Sequence, residues 1–280
     1  MKIKKIILLI LTIVILATMT IGLIIVIRHS QIAYLCQLIE SGQTEFASKK
    51  IQELSDVNMY SVPLSIQPIY NIIDEDVKLP LVTACDVGDA ELVKLLLEKG
   101  ADPNLFLKDN WTPIEVLFER GHKNRLEIAK LLVQNGANVD LYASYHTALF
   151  CELSKYMRTV DNSSKEEREY SIRCIRYLLE NGANPRNNEK NTIIHYFAAS
   201  GDVESLSVFS VDFKEFISQT NIYGETPLIW ATRKARRECI IFLIDNGAAI
   251  NTMDHNGKTA LDYAIESGNM EIIQLFQSRR

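Results

Sequence analysis

The 280-residue chain has only five cysteines, an odd number with no paired spacing, so it carries no readable disulfide framework. A basic excess is missing too. The formal net charge is −5, and setting aside the four positive charges of Lys2, Lys4, Lys5 and Arg28 lowers it to −9. Nucleic-acid binding normally leaves a basic footprint, so no nucleic-acid partner is expected. There is no glycine-rich phosphate loop, and neither a small-molecule substrate nor a cofactor is expected. The five histidines, His29, His122, His146, His195 and His255, lie far apart without metal-ligand spacing, so no metal site is expected. Linear spacing supports no Ser/His/Asp or Cys/His arrangement, and the chain is not expected to be an enzyme.

One long uncharged run opens the chain. Ile6–Ile27 is 22 residues without a charge, and a bilayer core of ~30 Å needs about 20 such residues. A cleavable signal has an apolar region of roughly 7–15 residues and a small-residue cleavage site. Here apolar sequence continues past Ala17 and Gly22, the only small candidates. The reading is therefore an uncleaved transmembrane helix over 6–27, after a short basic N-terminus at 1–5. Lys2, Lys4 and Lys5 precede it and Arg28 alone lies close behind. The positive-inside rule then predicts a single-pass membrane protein with a cytoplasmic N-terminus and everything downstream on the exoplasmic side.

Most of the remaining chain is repetitive. Thr226-Pro227-Leu228-Ile229-Trp230 precedes Asn246-Gly247-Ala248, Thr112-Pro113-Ile114-Glu115 precedes Asn135-Gly136-Ala137, and Leu79-Pro80-Leu81 precedes Lys99-Gly100-Ala101. Weaker starts are Thr147-Ala148-Leu149, Thr192-Ile193-Ile194-His195 and Thr259-Ala260-Leu261-Asp262. The starts at 79, 112, 147, 192, 226 and 259 are 33, 35, 45, 34 and 33 residues apart. A period near 33 predicts a solenoid in place of a closed globular core. Each start has the chemistry of a helix N-terminus: Thr112 and Thr226 can cap the first helix, and Pro113 and Pro227 suit the first helical turn, where no N–H is required. A second helix opens on Glu91, Glu127, Glu204, Glu238 or Glu271, which suits the positive helix end. Glycines 100, 136, 182 and 247 close it. Asn221-Ile222-Tyr223-Gly224 and Asp254-His255-Asn256-Gly257 read as hairpin tips.

In these motifs the chain resembles the ankyrin-repeat family from about residue 77 to its end. The resemblance implies an all-α solenoid of helix-turn-helix repeats with hairpin loops, here preceded by the transmembrane helix. The repeats run about 77–106, 107–140, 141–186, 187–218, 219–251 and 252–280. Residues 28–76 are a degenerate N-terminal capping repeat and linker, since Gly42 and Asn58 echo the spacing of Gly88 and Asn104. The third repeat takes 35 residues from Thr147 to Gly182 against 21 from Thr226 to Gly247, an insertion of about 14. Its polar stretch Lys155–Glu169 is expected to be a surface loop. The fourth repeat has Val211-Asp212-Phe213 in place of a Gly-Ala terminator and is expected to be irregular. The Ile-, Lys- and Asn-rich composition points to an AT-rich bacterial genome.

The resemblance implies non-catalytic protein–protein interaction through hairpin tips and inner helices. Its alternative is an immunity or protective partner for a cognate toxin or redox enzyme. The partner-binding candidates are positions that repeat architecture leaves free: Trp111, His146, Tyr223, Glu225, Arg233, Lys234, His255 and Lys258. Aromatics and arginine are the residues enriched at interface hot spots. Arg233-Lys234 with Arg236-Arg237 reads as a solvated turn, with an anion-binding patch as the alternative. Tyr196, Trp230 and Tyr263 recur at one repeat position and read as packed between neighbours, with a contact stripe as the alternative. His195 and His122 occupy positions where the family has structural histidines.

Overall fold

A computed structural model describes residues 2–58, 79–106, 111–141 and 147–279. Its described residues form fourteen α-helices and no β-strand beyond an isolated bridge between Arg186 and Thr192. The chain divides into two compact units, Met1–Leu117 with His122–Asn138, and Phe118–Gly121 with Val139–Arg280.

The first unit pairs α1 (Lys2–Glu40) with α2 (Thr44–Glu53), and α3 (Pro80–Val87) with α4 (Ala90–Glu98). The end of α1 packs on α3 and α2 packs on α4, burying Leu35, Ile39 and Ile51 with Ala84, Cys85, Leu92 and Leu96. The unit boundary falls within α5 (Pro113–Arg120), and α6 (Arg125–Gln134) packs on α4. Asparagines zip successive turns together. Asn58 donates to the Gly100 carbonyl (2.6 Å) and accepts from Asp102 N–H (2.7 Å). Asn104 likewise donates to the Gly136 carbonyl (2.9 Å) and accepts from Asn138 N–H (2.7 Å).

The structure does not bear out the expected membrane-spanning helix. Among the described residues no helix is long and apolar enough to cross a membrane, so the single-pass placement and the exoplasmic assignment fall with it. The run Ile6–Ile27 is part of α1, which continues for 39 residues. Hydropathy reads that run as a self-contained segment. In the fold the helix passes Arg28 without a break, and its last turns bury Ile32, Leu35, Cys36, Leu38 and Ile39 as the first member of a helix pair.

The second unit stacks four helix pairs: α7 (Ala148–Thr159) with α8 (Lys165–Glu180), α9 (Ile193–Ser200) with α10 (Val203–Asp212), α11 (Pro227–Arg233) with α12 (Arg237–Asp245), and α13 (Ala260–Ser267) with α14 (Met270–Ser278). First helices pack on first helices through Phe150, Phe197, Ile229 and Ala264, all buried. Caps fix where each helix starts. Thr226 Oγ1 accepts from Ile229 N–H (3.3 Å), and Asp202 and Asn269 accept from Ser205 and Ile272 N–H (3.1 and 3.2 Å). The Gly-Ala terminator works because Gly247 turns left-handed, which lets Ala248 N–H reach the Leu243 carbonyl at 2.8 Å.

The insertion in the third repeat is not a loop. It lengthens α7 to 12 residues and α8 to 16, leaving only 160–164 between them. Ser164 and Glu167 form a reciprocal capping box (3.2 and 3.0 Å), so a polar segment starts a helix with one face in solvent. Asp161 in that turn holds the Arg236 guanidinium at 2.9 and 2.5 Å, reaching past a whole repeat. The fourth repeat closes on a 3-10 turn, Lys214–Phe216, with the Phe213 and Phe216 rings stacked at 5.7 Å.

Ala235 sits at φ 54° at the interhelical turn where four other repeats carry Gly88, Gly121, Gly201 and Gly268. A left-handed conformation costs an L-residue about 1–2 kcal/mol, partly offset by the larger unfolded-state entropy of glycine. Ala235→Gly is expected to raise stability by roughly 0.5–1 kcal/mol. A urea midpoint below that of the natural protein would refute this.

Candidate functional site

The tips of the second unit are built around Asn221, which is buried. Its Oδ1 accepts from Tyr223 and Glu225 N–H (2.9 and 3.0 Å), folding the hairpin. Its Nδ2 donates to Asn191 Oδ1 of the preceding tip (2.9 Å) and to Glu225 Oε2 (3.2 Å). Backbone bonds join the tips: Ile222 N–H to the Glu189 carbonyl and His255 N–H to the Tyr223 carbonyl, both 2.9 Å. Gly224 is needed there, since a Cβ would lie 2.8 Å from the His255 ring and 2.9 Å from its backbone nitrogen.

A charged and aromatic chain runs from this tip onto the first helices. Glu225 Oε2 accepts from Trp230 Nε1–H at 2.7 Å, and its Oε1 pairs with Arg233 at 2.5 Å. The Arg233 guanidinium lies 5.4 Å from the Tyr263 ring centre, and the Lys258 ammonium 5.5 Å from it. Tyr263 donates its hydroxyl to Asp254 Oδ2 (2.5 Å), a bond that raises the phenol pKa. Burial pushes the Asp254 carboxyl up, but that hydroxyl with Lys258 and Asn256 N–H outweighs it and holds the group below the usual carboxylate range. Lys258 pairs with Glu266 at 2.7 Å, which raises its pKa.

The sequence-read candidates therefore differ in what they have left to offer. Tyr223 is 51% exposed, and His255 and Lys234 are exposed as well. The Lys234 ammonium makes no ion pair among the described residues. Glu225 is half-buried and committed to Trp230 and Arg233, while Lys258 is committed to Glu266. Trp111 is half-buried just before α5, and His146 lies outside the described residues. Beside the tip is a cavity of about 270 Å³ lined by Met157, Ala199, Glu225, Trp230, Arg233 and Lys234.

His195 is fully buried under this surface. Thr192 N–H donates to Nδ1 (3.1 Å), so the proton sits on Nε2, which donates to the Glu225 carbonyl (3.1 Å). Burial lowers its pKa to about 4, keeping the ring neutral. Its role is to tie the start of α9 to the next tip. His122 does similar work in the first unit, bonding the Asp86 carbonyl at 2.7 Å. All five cysteines are buried free thiols, and burial pushes Cys239 up to about 12, which makes it unreactive.

A family model for ankyrin repeats matches residues 33–143, 166–254 and 210–279, most of the chain. The chain belongs to the ankyrin-repeat family. It is 28% identical to the ankyrin repeat protein L92 of Acanthamoeba polyphaga mimivirus over 181 residues, 61% of this chain and 40% of that protein. It is 31% identical to human inversin over 87 residues, 31% of this chain and 8% of inversin. The chain thus spans less than half the length of these relatives. Among solved structures, it resembles the human ASB11 ankyrin repeat domain, with a TM-score of 0.64, 20% identity, and coverage of 88% of this chain and 97% of that one. It also resembles a chain in the structure of the Bd0816 predatory endopeptidase from Bdellovibrio bacteriovorus in complex with immunity protein Bd3460. That TM-score is 0.59, at 25% identity over 71% of this chain and 97% of that one.

Within the ankyrin repeats of the second unit, Tyr196 and Trp230 of the recurring aromatic position touch each other, and Phe150, one position earlier in its own repeat, extends the contact. Phe150 contacts Tyr196 (5.4 Å between ring centres), and Tyr196 contacts Trp230 (5.5 Å). Tyr196 is buried, whereas Trp230 and Tyr263 keep one side in solvent. Met157 belongs to this surface and sequence reasoning did not find it. It reaches the cavity on the lengthened α7, whose helical extent was hidden in the stretch expected to be a loop.

Proposed function

We propose that this chain is a non-catalytic binding module that holds a protein partner against the tips and first helices of its ankyrin repeats. The observation that carries the reading is the surface around Tyr223. The Tyr223 ring stands exposed at the tip, and Glu225 of the same tip lines a cavity with Trp230, Met157 and Lys234, whose ammonium makes no ion pair among the described residues. Large rings and cations around a partly apolar hollow are what interface hot spots are made of. His255 and Lys258 of the same unit complete this proposed contact set, with Glu225 and Arg233 as one preorganised pair, and Trp111 of the first unit and His146 are proposed as partner contacts in their own right. Tyr223→Ala/Lys234→Ala removes no buried group and should change stability by roughly 0.5 kcal/mol or less, while a lost hot spot weakens binding by more than ~2 kcal/mol. In affinity capture with the full chain, the double variant should melt like the natural protein and lose the captured partner. Undiminished capture would place the contact elsewhere.

A second reading, an immunity or protective partner for a cognate toxin or redox enzyme, is favoured in its immunity form by the likeness to a chain from the endopeptidase–immunity protein complex. An endopeptidase gene beside this one, whose product the purified chain inhibits, would support it. Full enzyme activity at saturating chain would reject it.

A further inference from the structure

The second helices α4 and α6 pack directly on one another, as do α10 and α12. Between α8 and α10 there is instead an open cleft of about 680 Å³. Its origin is the insertion. α8 has 16 residues against 10 in α10 and ends normally at Gly182-Ala183, so its extra turns lie at the start and overhang the shorter neighbour. Residues 165, 168, 169, 172, 173 and 176 keep the i, i+3, i+4, i+7, i+8 spacing of a single helix face, and all of them line the cleft. The open apolar floor is Ile172 of α8 and Val208 of α10 at 41% exposure, while the Phe209 ring beneath it is buried, with the Arg176 guanidinium over it at 5.6 Å.

The charges of the cleft do not cancel in place. Lys165 pairs with Glu169 (3.8 Å). Asp202 is occupied by the Tyr156 hydroxyl, the Ser205 hydroxyl and Ser205 N–H. Arg168, Arg173 and Arg176 remain, none paired with a carboxylate among the described residues, against Glu204 at the rim. Arg168 gives one bond to the Ser163 carbonyl (2.7 Å), and Arg173 lies over the Tyr170 ring at 5.4 Å. This basic strip stands on a chain whose net charge is negative.

We infer that the α8–α10 cleft is a second protein-docking site, taking an acidic amphipathic helix of a partner. The helix lays apolar side chains at i and i+3 or i+4 on Ile172 and Val208, and its flanking carboxylates pair with Arg168, Arg173 and Arg176. This site is separate from the tip surface around Tyr223, so the two readings stand or fall independently.

The test is selection of a displayed library of 14-residue helices, randomised on one face, against the full chain. Enriched helices should carry a paired apolar anchor flanked by Glu or Asp. A synthetic copy of the best binder should weaken at least tenfold on Arg173→Glu/Arg176→Glu, weaken with added salt, and bind Tyr223→Ala/Lys234→Ala unchanged. If that charge reversal lowers the melting temperature, Arg168→Gln/Arg173→Gln, which leaves Arg176 over Phe209, should still weaken binding severalfold. Enrichment without acidic preference, no enrichment, or equal binding to the arginine variants would each overturn the proposal.

Discussion

Phe197→Ala is expected to destabilise the second unit by about 3–5 kcal/mol, the range for removing a large buried aromatic side chain. Phe197 is completely buried on α9. Its ring stacks on Phe209 of α10 (4.6 Å, 11°) and meets the edge of Tyr156 of α7 (5.8 Å, 72°). Its carbonyl faces the Cys239 thiol of α12 at 4.0 Å. One side chain therefore joins two helix pairs, and its own backbone meets a third. Core packing in a repeat stack runs between neighbouring repeats, and the Asp161–Arg236 tie that skips a repeat is polar, so no distant core compensates for a void at that junction. Marginal stability of about 5–15 kcal/mol makes such a loss a large fraction of the total. Urea unfolding monitored by circular dichroism measures it. A cost below ~1 kcal/mol would mean that the repeats do not meet through this residue.

Acid should weaken the fold through His195 before it weakens it through carboxylates. The folded pKa of about 4 lies below the ordinary 6.5 because burial disfavours the charged ring. Between those values the unfolded chain binds a proton that the folded chain does not, so stability falls as pH falls through that window. The contribution is fully present above pH 6.5, diminished by roughly 2 kcal/mol at pH 5, and lost by about 3 kcal/mol below pH 4. His195→Gln keeps an acceptor at the third helical position for Thr192 N–H, the usual capping-box chemistry, and does not titrate. Comparing urea midpoints at pH 7 and pH 5 should show the natural protein losing ~2 kcal/mol more than the variant. Equal losses would mean that His195 is not a neutral buried tie.

What was legible in the sequence is what local hydrogen bonding dictates. Thr226 and Pro227 start a helix, and Gly247-Ala248 ends one, because each satisfies orphan backbone groups within a few residues. Their period gave the stack, and Thr192-x-x-His195 gave its structural histidine. Polarity alone points to a loop for the insertion, whereas Ser164-x-x-Glu167 is a helix start. Hydropathy takes no account of where a helix goes next, and α1 goes on past the uncharged run to bury Leu35 and Ile39. Within α4 the apolar run from Leu92 to Leu97 does not reveal which side chain faces out, and Leu95 is the half-buried one while Leu96 is buried. The Asp161–Arg236 tie joins residues 75 apart and has no local signal at all. Partner contacts were the least legible part. Which of Arg233 and Lys234 is already paired depends on Glu225, and only side-chain geometry decides that.

The central claim is that a protein partner sits on the tip surface, and photo-cross-linking from that tip tests it most directly. Full-length chain carrying p-benzoylphenylalanine in place of Tyr223, expressed in its own host and irradiated, should give a discrete adduct with another protein. The same group in place of Asn246, exposed at the far end of α12, should give none. No adduct from position 223, or adducts of the same pattern from both positions, would contradict the account.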